Sequence, residues 1–416
     1  MKQPEMYDVI VIGGGAAGLM AAGTSAGLGK KVLLLEKNKS LGKKLKITGG
    51  GRCNITNGEE DIHKFLKAYE EGGDHLYSPF SKFNNKDTFK FFENKNLPLV
   101  TQARKRVFPH TERAIDVYNV LEQYIKEGKV TVKLSNPVLK ISSDKENRKI
   151  VSVKTKDGIW KANSYIFATG GVSHRETGST GDGFKWLKDL GHTVKDPTPT
   201  IVPLQAKDKW IHTLAGVSLS FMKITFYLDN KKQFSKTGKI LFTHFGLSGP
   251  LILNCSKKVS DLLQSGEVTA KIDAYPDTDL GSLEKKVIKI FDLNKNKILK
   301  NILKDITPPG TAKGIEMIFN DIDLTKKVHS VTKEERKQIV QNLKSLPVSI
   351  IGLMGYDRAV VADGGVVMKE IDTKTMRSML YDNLYIIGDL LHITRPSGGY
   401  SLQLCWTTGY VAGMNA

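Results

Sequence analysis

Cysteine is scarce in this 416-residue chain, which has only Cys53, Cys255 and Cys405. The three are far apart and form no C-x-x-C pair. This spacing argues against a disulfide framework, a zinc site and a dithiol redox centre, so no metal site is predicted. Packing is the expected role of Cys53, although it lies inside a glycine-rich motif described below.

Arginine is scarce as well, since only ten of the 62 basic residues are arginine. The formal net charge is +19, but the lysines are scattered in pairs such as Lys30–Lys31 and Lys231–Lys232. This distribution favours a solvated lysine-rich surface over a dedicated nucleic-acid face. We therefore expect a small-molecule substrate and no nucleic-acid partner, and the oligomeric state stays open.

The chain has no long hydrophobic run that is free of glycine. Val9–Gly29 carries no charged residue, yet it contains seven glycines and follows Asp8 directly. A membrane span or a signal peptide fits such a run poorly, and we expect a cytoplasmic protein. With 40% hydrophobic and 25% charged residues, the composition is that of a globular protein, and the length predicts two or three domains.

The first motif is a glycine turn near the N-terminus. Val9–Ile12 is apolar and rich in β-branched residues, which predicts a buried parallel strand. Gly13, Gly15 and Gly18 then form G-x-G-x-x-G, and Glu36 ends the next apolar run. A strand, turn, helix, strand and acid in this register predict a dinucleotide site, with the pyrophosphate at the helix N-terminus and Glu36 on a ribose.

Three further motifs bear on which dinucleotide binds. Thr48–Asn57 reads TGGGRCNITN, Ala168–Gly171 reads ATGG, and Leu384–Asp389 reads LYIIGD ahead of GGYSLQ. Glycine amides can lie against a planar ring, and a carboxylate after a strand can hold a sugar alcohol chain. Taken singly, each motif also fits an ordinary structural turn.

Local patterns predict several elements. We expect a helix over Ala114–Glu127, a hairpin of Ile150–Thr155 with Trp160–Ala162, and a separate buried strand in Ser164–Gly171. A capping box at Thr332 predicts the start of another helix. Pro197, Pro199 and Pro203 should interrupt any regular element between positions 196 and 205.

These patterns predict a dinucleotide domain built from both ends of the chain. We assign residues 1–195 to its first part, 196–347 to an inserted domain and 348–416 to its second part.

The ordered motifs resemble those of the BaiN-like family, many members of which are called aminoacetone oxidase family FAD-binding enzymes. The resemblance covers essentially the whole chain, and GGGRCN-x-TN with GGY-x-LQ is specific to it. It implies an α/β fold in which a glutathione-reductase-like FAD-binding Rossmann domain is interrupted by an insert with a β-barrel-like part and a helical part.

The resemblance also implies a noncovalent FAD and assigns residues to it. The glycine turn would hold the pyrophosphate, Glu36 the adenosine ribose, Val138 the adenine through its backbone, and Asp389 the ribityl chain. The expected cofactor-binding residues are Gly13, Gly15, Ala16, Ala17, Gly18, Glu36, Lys37, Gly51, Arg52, Cys53, Asn54, Val138, Thr169, Gly170, Asp389, Gly399, Tyr400 and Ser401.

The chain departs from its relatives at two places near these motifs. His174 and Arg175 stand where many relatives have an aromatic residue and a proline. Ile393, Arg395 and Pro396 stand where relatives often have Asp, Gly and Thr. Both departures leave the fold in place and lie close to motifs that are expected to face the substrate.

We therefore expect a flavin-dependent oxidoreductase that accepts a hydride from NAD(P)H or an amine-type molecule and passes electrons to oxygen or an activated C=C bond. The alternative is a tRNA-modifying flavoprotein. No second G-x-G-x-x-G follows a strand, so NAD(P)H would visit only transiently. His244 and Tyr400 are candidate proton donors; a structural role is favoured for His244, and a packing role is as plausible as proton donation for Tyr400. Lys105–Arg113 could bind an anion or simply be solvated.

Overall fold

The structure is a computed structural model that describes residues 6–356, 358–359 and 361–416. It divides into two compact units, one of which extends from Pro199 to Ala359. The other unit contains the preceding residues up to Thr198 and the C-terminal residues. The chain thus leaves the first unit three residues after the expected boundary. It returns twelve residues after the expected one, because Leu346–Leu353 is a strand of the inserted unit.

The elements are numbered in chain order. The strands are β1 Met6–Ile12, β2 Val32–Leu35, β3 Thr56–Asn57, β4 Leu99–Gln102, β5 Arg106–Pro109, β6 Thr131–Lys133, β7 Val138–Asp144, β8 Lys149–Thr155, β9 Gly158–Phe167, β10 Val194–Thr200, β11 Leu204–Ala206, β12 Ser218–Leu228, β13 Lys231–Thr243, β14 Gly246–Ser248, β15 Val268–Asp273, β16 Leu346–Leu353, β17 Val361–Val366, β18 Ile371–Asp372, β19 Arg377–Ser378 and β20 Leu384–Ile386. The helices are α1 Ala16–Gly27, α2 Lys43–Ile47, α3 Ile62–Lys67, α4 Tyr77–Lys82, α5 Asn85–Glu93, α6 Ala114–Glu127, α7 Asp182–Asp189, α8 Lys209–His212, α9 Pro250–Leu263, α10 Leu280–Leu293, α11 Leu299–Ile306, α12 Ala312–Ile315, α13 Lys333–Lys344 and α14 Tyr400–Asn415.

The first unit is built on a sheet whose strands follow the order β18-β19-β20-β9-β1-β2-β6. The pairs β1–β2, β1–β9, β2–β6 and β9–β20 are parallel. Val9, Ile10 and Val11 of the central strand are fully buried, as expected for a strand covered on both faces. The carboxyl ends of β1, β2, β9 and β20 therefore meet at one edge, which is where ligands bind in such sheets.

Helix α1 packs closely against α14 in this unit. A Cβ on Gly409 would lie 2.5 Å from the carbonyl oxygen of Ala17, and one on Gly413 would lie 2.7 Å from that of Ala21. Glycine at these positions lets the two helix backbones approach each other. The N-terminal helix of the glycine turn and the C-terminal helix are thus packed as neighbours.

The second unit contains a closed barrel with the strand order β11-β14-β13-β12-β15-β16. Its interior is filled by apolar side chains such as Ile224, Phe226, Ile240 and Phe242. Helices α10 to α13 form a helical part, and their apolar faces join the same core. The expected insert with barrel-like and helical parts is confirmed.

The proline prediction was wrong. β10 is a strand that contains Pro197 and Pro199, and its only sheet partner among the described strands is β17. Proline is tolerated there because an edge strand leaves one row of amides unused. Gly364 of β17 permits the close approach, since its Cβ would lie 2.6 Å from the Cα of Pro197.

The two strands expected on either side of Asn163 are one continuous strand, β9. Its first half pairs with β8 in an antiparallel hairpin, and its second half pairs in parallel with β1 and β20. Helix α6 occupies the predicted range, and Thr332 forms the predicted capping box at the start of α13. No helix in the described ranges has both the length and the apolar character that crossing a membrane requires.

Candidate functional site

The glycine turn lies between β1 and α1 at the carboxyl edge of the sheet. Gly13 has a φ of +107°, and a Cβ there would lie 2.5 Å from the carbonyl oxygen of Ala168. A Cβ on Gly18 would lie 1.9 Å from the carbonyl oxygen of Gly13, so both positions exclude a side chain. A Cβ on Gly15 would meet nothing within 4 Å, which leaves open space before the α1 N-terminus formed by Ala16 and Ala17.

Glu36 follows β2 directly and is 7% exposed. Its Oε2 accepts a hydrogen bond from the Gly14 amide at 2.8 Å, and its Oε1 accepts two at 2.7 Å from the backbone and side chain of Asn38. The carboxylate is therefore fixed beside the turn. Lys37 points elsewhere, because its Nζ donates to Thr180 and to Asp182.

Strand β3, which ends the glycine-rich motif, is packed against the N-terminus of α14. A Cβ on Gly399 would lie 2.2 Å from the carbonyl carbon of Thr56, and Asn57 Nδ2 donates to the Gly398 carbonyl at 3.1 Å. Gln403 Oε1 accepts hydrogen bonds from the hydroxyls of Thr56 (2.6 Å) and Thr88 (2.9 Å). These contacts explain why the two motifs occur together: the second anchors the first.

The loop presents bare backbone on its other side. Gly50 and Gly51 have φ values of +68° and +87°, and a Cβ on either would meet nothing within 4 Å. Cys53 is fully buried, has a φ of +59°, and burial raises the pKa of its thiol well above the usual range. It is thus an unreactive packing residue at the base of a loop with an open glycine face.

The two polar residues of this loop already have protein partners. Arg52 Nη2 donates to Glu112 at 2.6 Å and to Gln102 at 2.9 Å, and its guanidinium lies 4.4 Å from the centre of the Phe108 ring. Asn54 Oδ1 accepts from the Val107 amide at 3.2 Å. Both side chains hold the β4–β5 hairpin against the loop.

Thr169 and Gly170 follow β9 and lie beside the glycine turn. The Ala168 amide donates to the carbonyl of Ile12, which continues the pairing of β9 with β1 past the strand ends. The Thr169 hydroxyl is buried and has no hydrogen-bond partner within the described ranges. Buried hydroxyl groups normally make a hydrogen bond, so the Thr169 hydroxyl is suited to bonding a ligand at this edge of the sheet.

Val138 is the first residue of β7, and the chain just before it is bonded to Glu36. The Asn136 amide donates to the Glu36 carbonyl at 2.9 Å, which ties the start of β7 to the end of β2. The side chain of Asn136 is buried and donates to Asp157, while its Oδ1 has no partner among the described residues. The predicted adenine end is therefore next to the predicted ribose carboxylate.

Asp389 lies in the 3₁₀ turn after β20 and is held by two cations. Arg395 Nη2 donates to Asp389 Oδ1 at 2.6 Å, and Lys44 Nζ lies 4.0 Å from Oδ2. Burial is the main cause that lowers the pKa of Lys44, and the charge of Asp389 opposes it. The adjoining Gly388 places its α-carbon against α1, because a Cβ there would lie 3.1 Å from the Cβ of Ala17.

Tyr400 and Ser401 begin α14 immediately after Gly399. The Tyr400 ring packs on Phe65 and Tyr69, and the Tyr69 hydroxyl donates to the Tyr400 carbonyl at 2.9 Å. The Tyr400 hydroxyl makes no hydrogen bond to any residue that the structure describes, and burial raises its pKa. His244, the other candidate proton donor, is an exposed residue in the β13–β14 turn of the barrel unit.

The model of the HI0933-like protein Rossmann domain matches residues 7–415. The chain belongs to this family. Its members are FAD-binding flavoprotein oxidoreductases of the Rossmann type, which agrees with the predicted fold class and the predicted enzyme class.

Two curated relatives match the chain over nearly its full length. A 3-dehydro-bile acid delta(4,6)-reductase of Clostridium scindens is 27% identical over 415 residues, which is 99% of both chains. A ribosomal RNA dihydrouridine synthase of Haemophilus influenzae is 28% identical over 412 residues, which is 98% of this chain and 97% of the relative. The two relatives are nearly equally similar to this chain, and their names give different substrates.

A solved structure shares the fold. The 3-ketosteroid-delta4-(5alpha)-dehydrogenase of Rhodococcus jostii RHA1 superposes with a TM-score of 0.53 at 14% identity. The superposition covers 100% of this chain and 98% of that one.

The residues present fit an FAD molecule. Neighbouring backbone atoms leave no room for a side chain at Gly13 and Gly18, whereas the space beside Gly15 is open, as close approach of a pyrophosphate requires. Carboxylates stand after β2 and β20, the open glycine face belongs to the motif whose last strand, β3, packs on the α14 N-terminus, and the Thr169 hydroxyl has no partner among the described residues.

Sequence reasoning did not place Lys44, Ser173 or Arg395 in the site. Lys44 donates to the Ser173 hydroxyl at 3.1 Å, and Arg395 is a buried partner of Asp389. The one signal was that Arg395 lies in a segment that departs from its relatives.

Proposed function

We propose that the protein is an FAD-dependent reductase whose acceptor is a C=C bond conjugated to a carbonyl group, with NAD(P)H as the transient donor. Bound FAD would supply the two-electron chemistry. The names of both curated relatives describe C=C reduction, one in a delta(4,6) ring system and one in the uracil ring of uridine. This shared chemistry supports the proposal better than oxygen as acceptor.

Tyr400 is the observation that carries the proposal. Reduction of a conjugated C=C bond needs one proton in addition to the hydride. A tyrosine phenol is protonated at neutral pH, burial raises the pKa of Tyr400 further, and its hydroxyl has no hydrogen bond to a described residue. The same residue begins α14, whose N-terminus packs against β3 at the end of the glycine-rich motif. This placement supports a role for the Tyr400 hydroxyl as the proton donor beside the predicted flavin ring.

The other proposed roles belong to binding and orientation. The glycine turn and the α1 N-terminus would hold the pyrophosphate, and Glu36 and Asp389 would fix the two sugar chains. The open face of Gly50 and Gly51 would lie against the flavin ring.

The half-reactions test this proposal separately. FAD-loaded protein is reduced anaerobically with NADH or NADPH, then mixed with a steroid-type enone, a uridine-containing RNA or oxygen while flavin absorbance is followed. We expect rapid reoxidation by a C=C acceptor and slow reoxidation by oxygen. Tyr400→Phe should leave flavin reduction unchanged and slow reoxidation by the C=C acceptor by about 10²- to 10⁴-fold. Tyr227→Phe in the barrel unit is the control.

Oxygen as the fast acceptor, with no turnover of any C=C compound, would contradict the proposal. Equal rates for Tyr400→Phe and the native protein would remove the proton-donor role alone.

A second candidate, reduction of a base within RNA, is favoured by the arginine distribution. Of the ten arginines, Arg52, Arg104, Arg106 and Arg113 lie in or beside the β4–β5 hairpin next to the glycine loop. Arg104 is exposed at the hairpin turn, and Arg106 and Arg52 both approach the Phe108 ring. Arginine and aromatic groups together suit phosphate contacts and base stacking.

Filter binding across a salt series tests this candidate. If the acceptor is a base in RNA, the protein should bind RNA tightly, and the logarithm of the binding constant should fall with the logarithm of the salt concentration with a slope of several units. The double variant Arg104→Gln/Arg106→Gln should reduce the slope by about two, since each lost phosphate contact lowers it by about one. Lys285→Gln/Lys286→Gln on α10 removes the same charge elsewhere and should not change it. Weak, salt-insensitive binding would exclude an RNA acceptor.

A further inference from the structure

The charge around Asp389 is unusual for a largely buried site, because two cations share one carboxylate that is 19% exposed. The side chain of Arg395 is 1% exposed, and arginine is a cation in proteins. Lys44 approaches the other carboxylate oxygen and is anchored by the Ser173 hydroxyl, which is itself buried. Burying a cation is costly unless the surroundings compensate it.

The compensation within the described residues is incomplete. Arg395 Nη1 donates to the Ile393 carbonyl at 2.6 Å and Nη2 to Asp389, but its buried Nε has no partner among the described residues. The titratable groups that face Lys44 are Asp389, Cys405, Arg395 and Glu176. Burial raises the pKa of the Cys405 thiol to about 12, so it adds no charge at neutral pH, and Glu176 is 59% exposed.

Arg395 is bonded to one predicted flavin contact in this region and lies close in sequence to others. It is bonded to Asp389, the predicted ribityl carboxylate, and it lies four residues before Gly399, which caps the N-terminus of the predicted ring-binding helix α14. Its charge also acts on the buried Tyr69, whose hydroxyl holds the Tyr400 carbonyl. The excess positive charge therefore lies where the predicted flavin would be bound.

Reduction of FAD by a hydride provides a matching negative charge. The hydride brings two electrons and one proton, so the reduced flavin carries one more negative charge than the oxidised form, and the donor leaves as NAD(P)⁺. Nearby fixed cations favour the more negative state in a site that is shielded from water.

We propose that Arg395, with Lys44, is a positioning residue whose charge makes the cradle bind reduced FAD more tightly than oxidised FAD. The inference rests on the proposed function, since it needs FAD in this cradle. A purely structural role for Arg395, tying Asp389 to the Ile393 carbonyl, would weaken binding of both redox states equally.

The flavin midpoint potential distinguishes these roles. The variants are Arg395→Gln and Lys44→Met, which each remove a cation, and Arg395→Lys, which retains the charge. Arg148→Gln is the matched control, because Arg148 is 52% exposed and pairs with Asp382 at the surface. FAD content and the two-electron potential are measured for each purified protein between pH 6 and pH 9.

We expect at least a tenfold loss of preference for reduced FAD in Arg395→Gln, which corresponds to a fall of about 30 mV for two electrons. Lys44→Met should shift in the same direction, and Arg395→Lys and Arg148→Gln should keep the native potential. In the native protein the potential should fall by about 30 mV per pH unit, as one proton per two electrons requires. In Arg395→Gln the steeper slope of about 59 mV, which signals uptake of a second proton, should persist to higher pH.

Native potentials and slopes in both Arg395→Gln and Lys44→Met would overturn the inference. If Arg395→Gln fails to fold or to retain FAD, Lys44→Met alone decides, because it leaves the Asp389–Arg395 pair in place. A native protein that binds no FAD would overturn the proposed function and this inference together. If the native protein binds FAD and reduces C=C bonds but the variants have the native midpoint potential, only the inference is overturned.

Discussion

Glu36 and Asp389 lie at opposite ends of the predicted cradle, and this separation gives a sharp prediction. Glu36 would contact the adenosine ribose of FAD, which FMN lacks, whereas Asp389 would contact the ribityl chain, which both flavins have. Glu36→Ala should therefore weaken FAD binding and spare FMN binding. Asp389→Ala should weaken both.

The magnitude follows from the bonds that a carboxylate makes. A hydrogen bond to a charged group contributes about 1.5–3 kcal/mol, and about 1.4 kcal/mol corresponds to a tenfold change in affinity. Loss of one ribose contact should thus raise the Kd for FAD by about 10- to 150-fold. Glu36 also holds the Gly14 amide at 2.8 Å, so some loss of stability will accompany the variant.

Flavin fluorescence titration of apo-protein with FAD and with FMN measures both affinities, and thermal unfolding of the same samples reports stability. Glu71→Ala, which removes an exposed carboxylate, is the control. If Glu36→Ala raises the Kd for FAD and FMN by the same factor, Glu36 acts by shaping the glycine turn and the ribose assignment is refuted.

Three further predictions concern the frame of the site. Burial lowers the pKa of His192, which bonds Glu370 and Ser378 in the first unit, so the unfolded state binds the proton first. The free energy of unfolding should have its full value above about pH 6.5 and should decrease as the pH drops below that value. His192→Gln should reduce this pH dependence, as measured by urea unfolding. An unchanged pH dependence would exclude His192 as its source. Gly18→Ala should abolish FAD binding, because its Cβ would lie 1.9 Å from the Gly13 carbonyl oxygen. A flavin content equal to that of the native protein would show that the backbone of the turn adjusts to the added methyl group. Thr332→Ala should cost about 1 kcal/mol in unfolding free energy, since Thr332 accepts from the Glu335 amide; no change in the urea midpoint would rule out that contribution.

Local signals predicted local structure well. The apolar run before Gly13, the 3.6-residue period of α6 and the capping box at Thr332 each depend on residues close in sequence. The structure confirms all three elements. Proline was a misleading signal, because whether Pro197 and Pro199 interrupt a strand depends on whether that strand lies at an edge, which only the tertiary fold decides.

The site was predictable in its backbone and less so in its charges. Glycine at positions 13, 18 and 399 records close backbone approach, and such demands are visible in a sequence. The pairing of Lys44 with Asp389, and of Arg52 with Glu112, joins side chains whose meeting depends on the packing of separate segments. No periodicity or spacing in the sequence specifies these pairs.

A crystal structure of the protein with FAD tests the account most directly. The account predicts density for the adenosine ribose at Glu36, the pyrophosphate at Gly15, the ribityl chain at Asp389, and the flavin ring against Gly50–Gly51 with the Tyr400 hydroxyl at its edge. A cofactor that is reversed in the cradle, is bound elsewhere, or is absent from FAD-soaked crystals would contradict it.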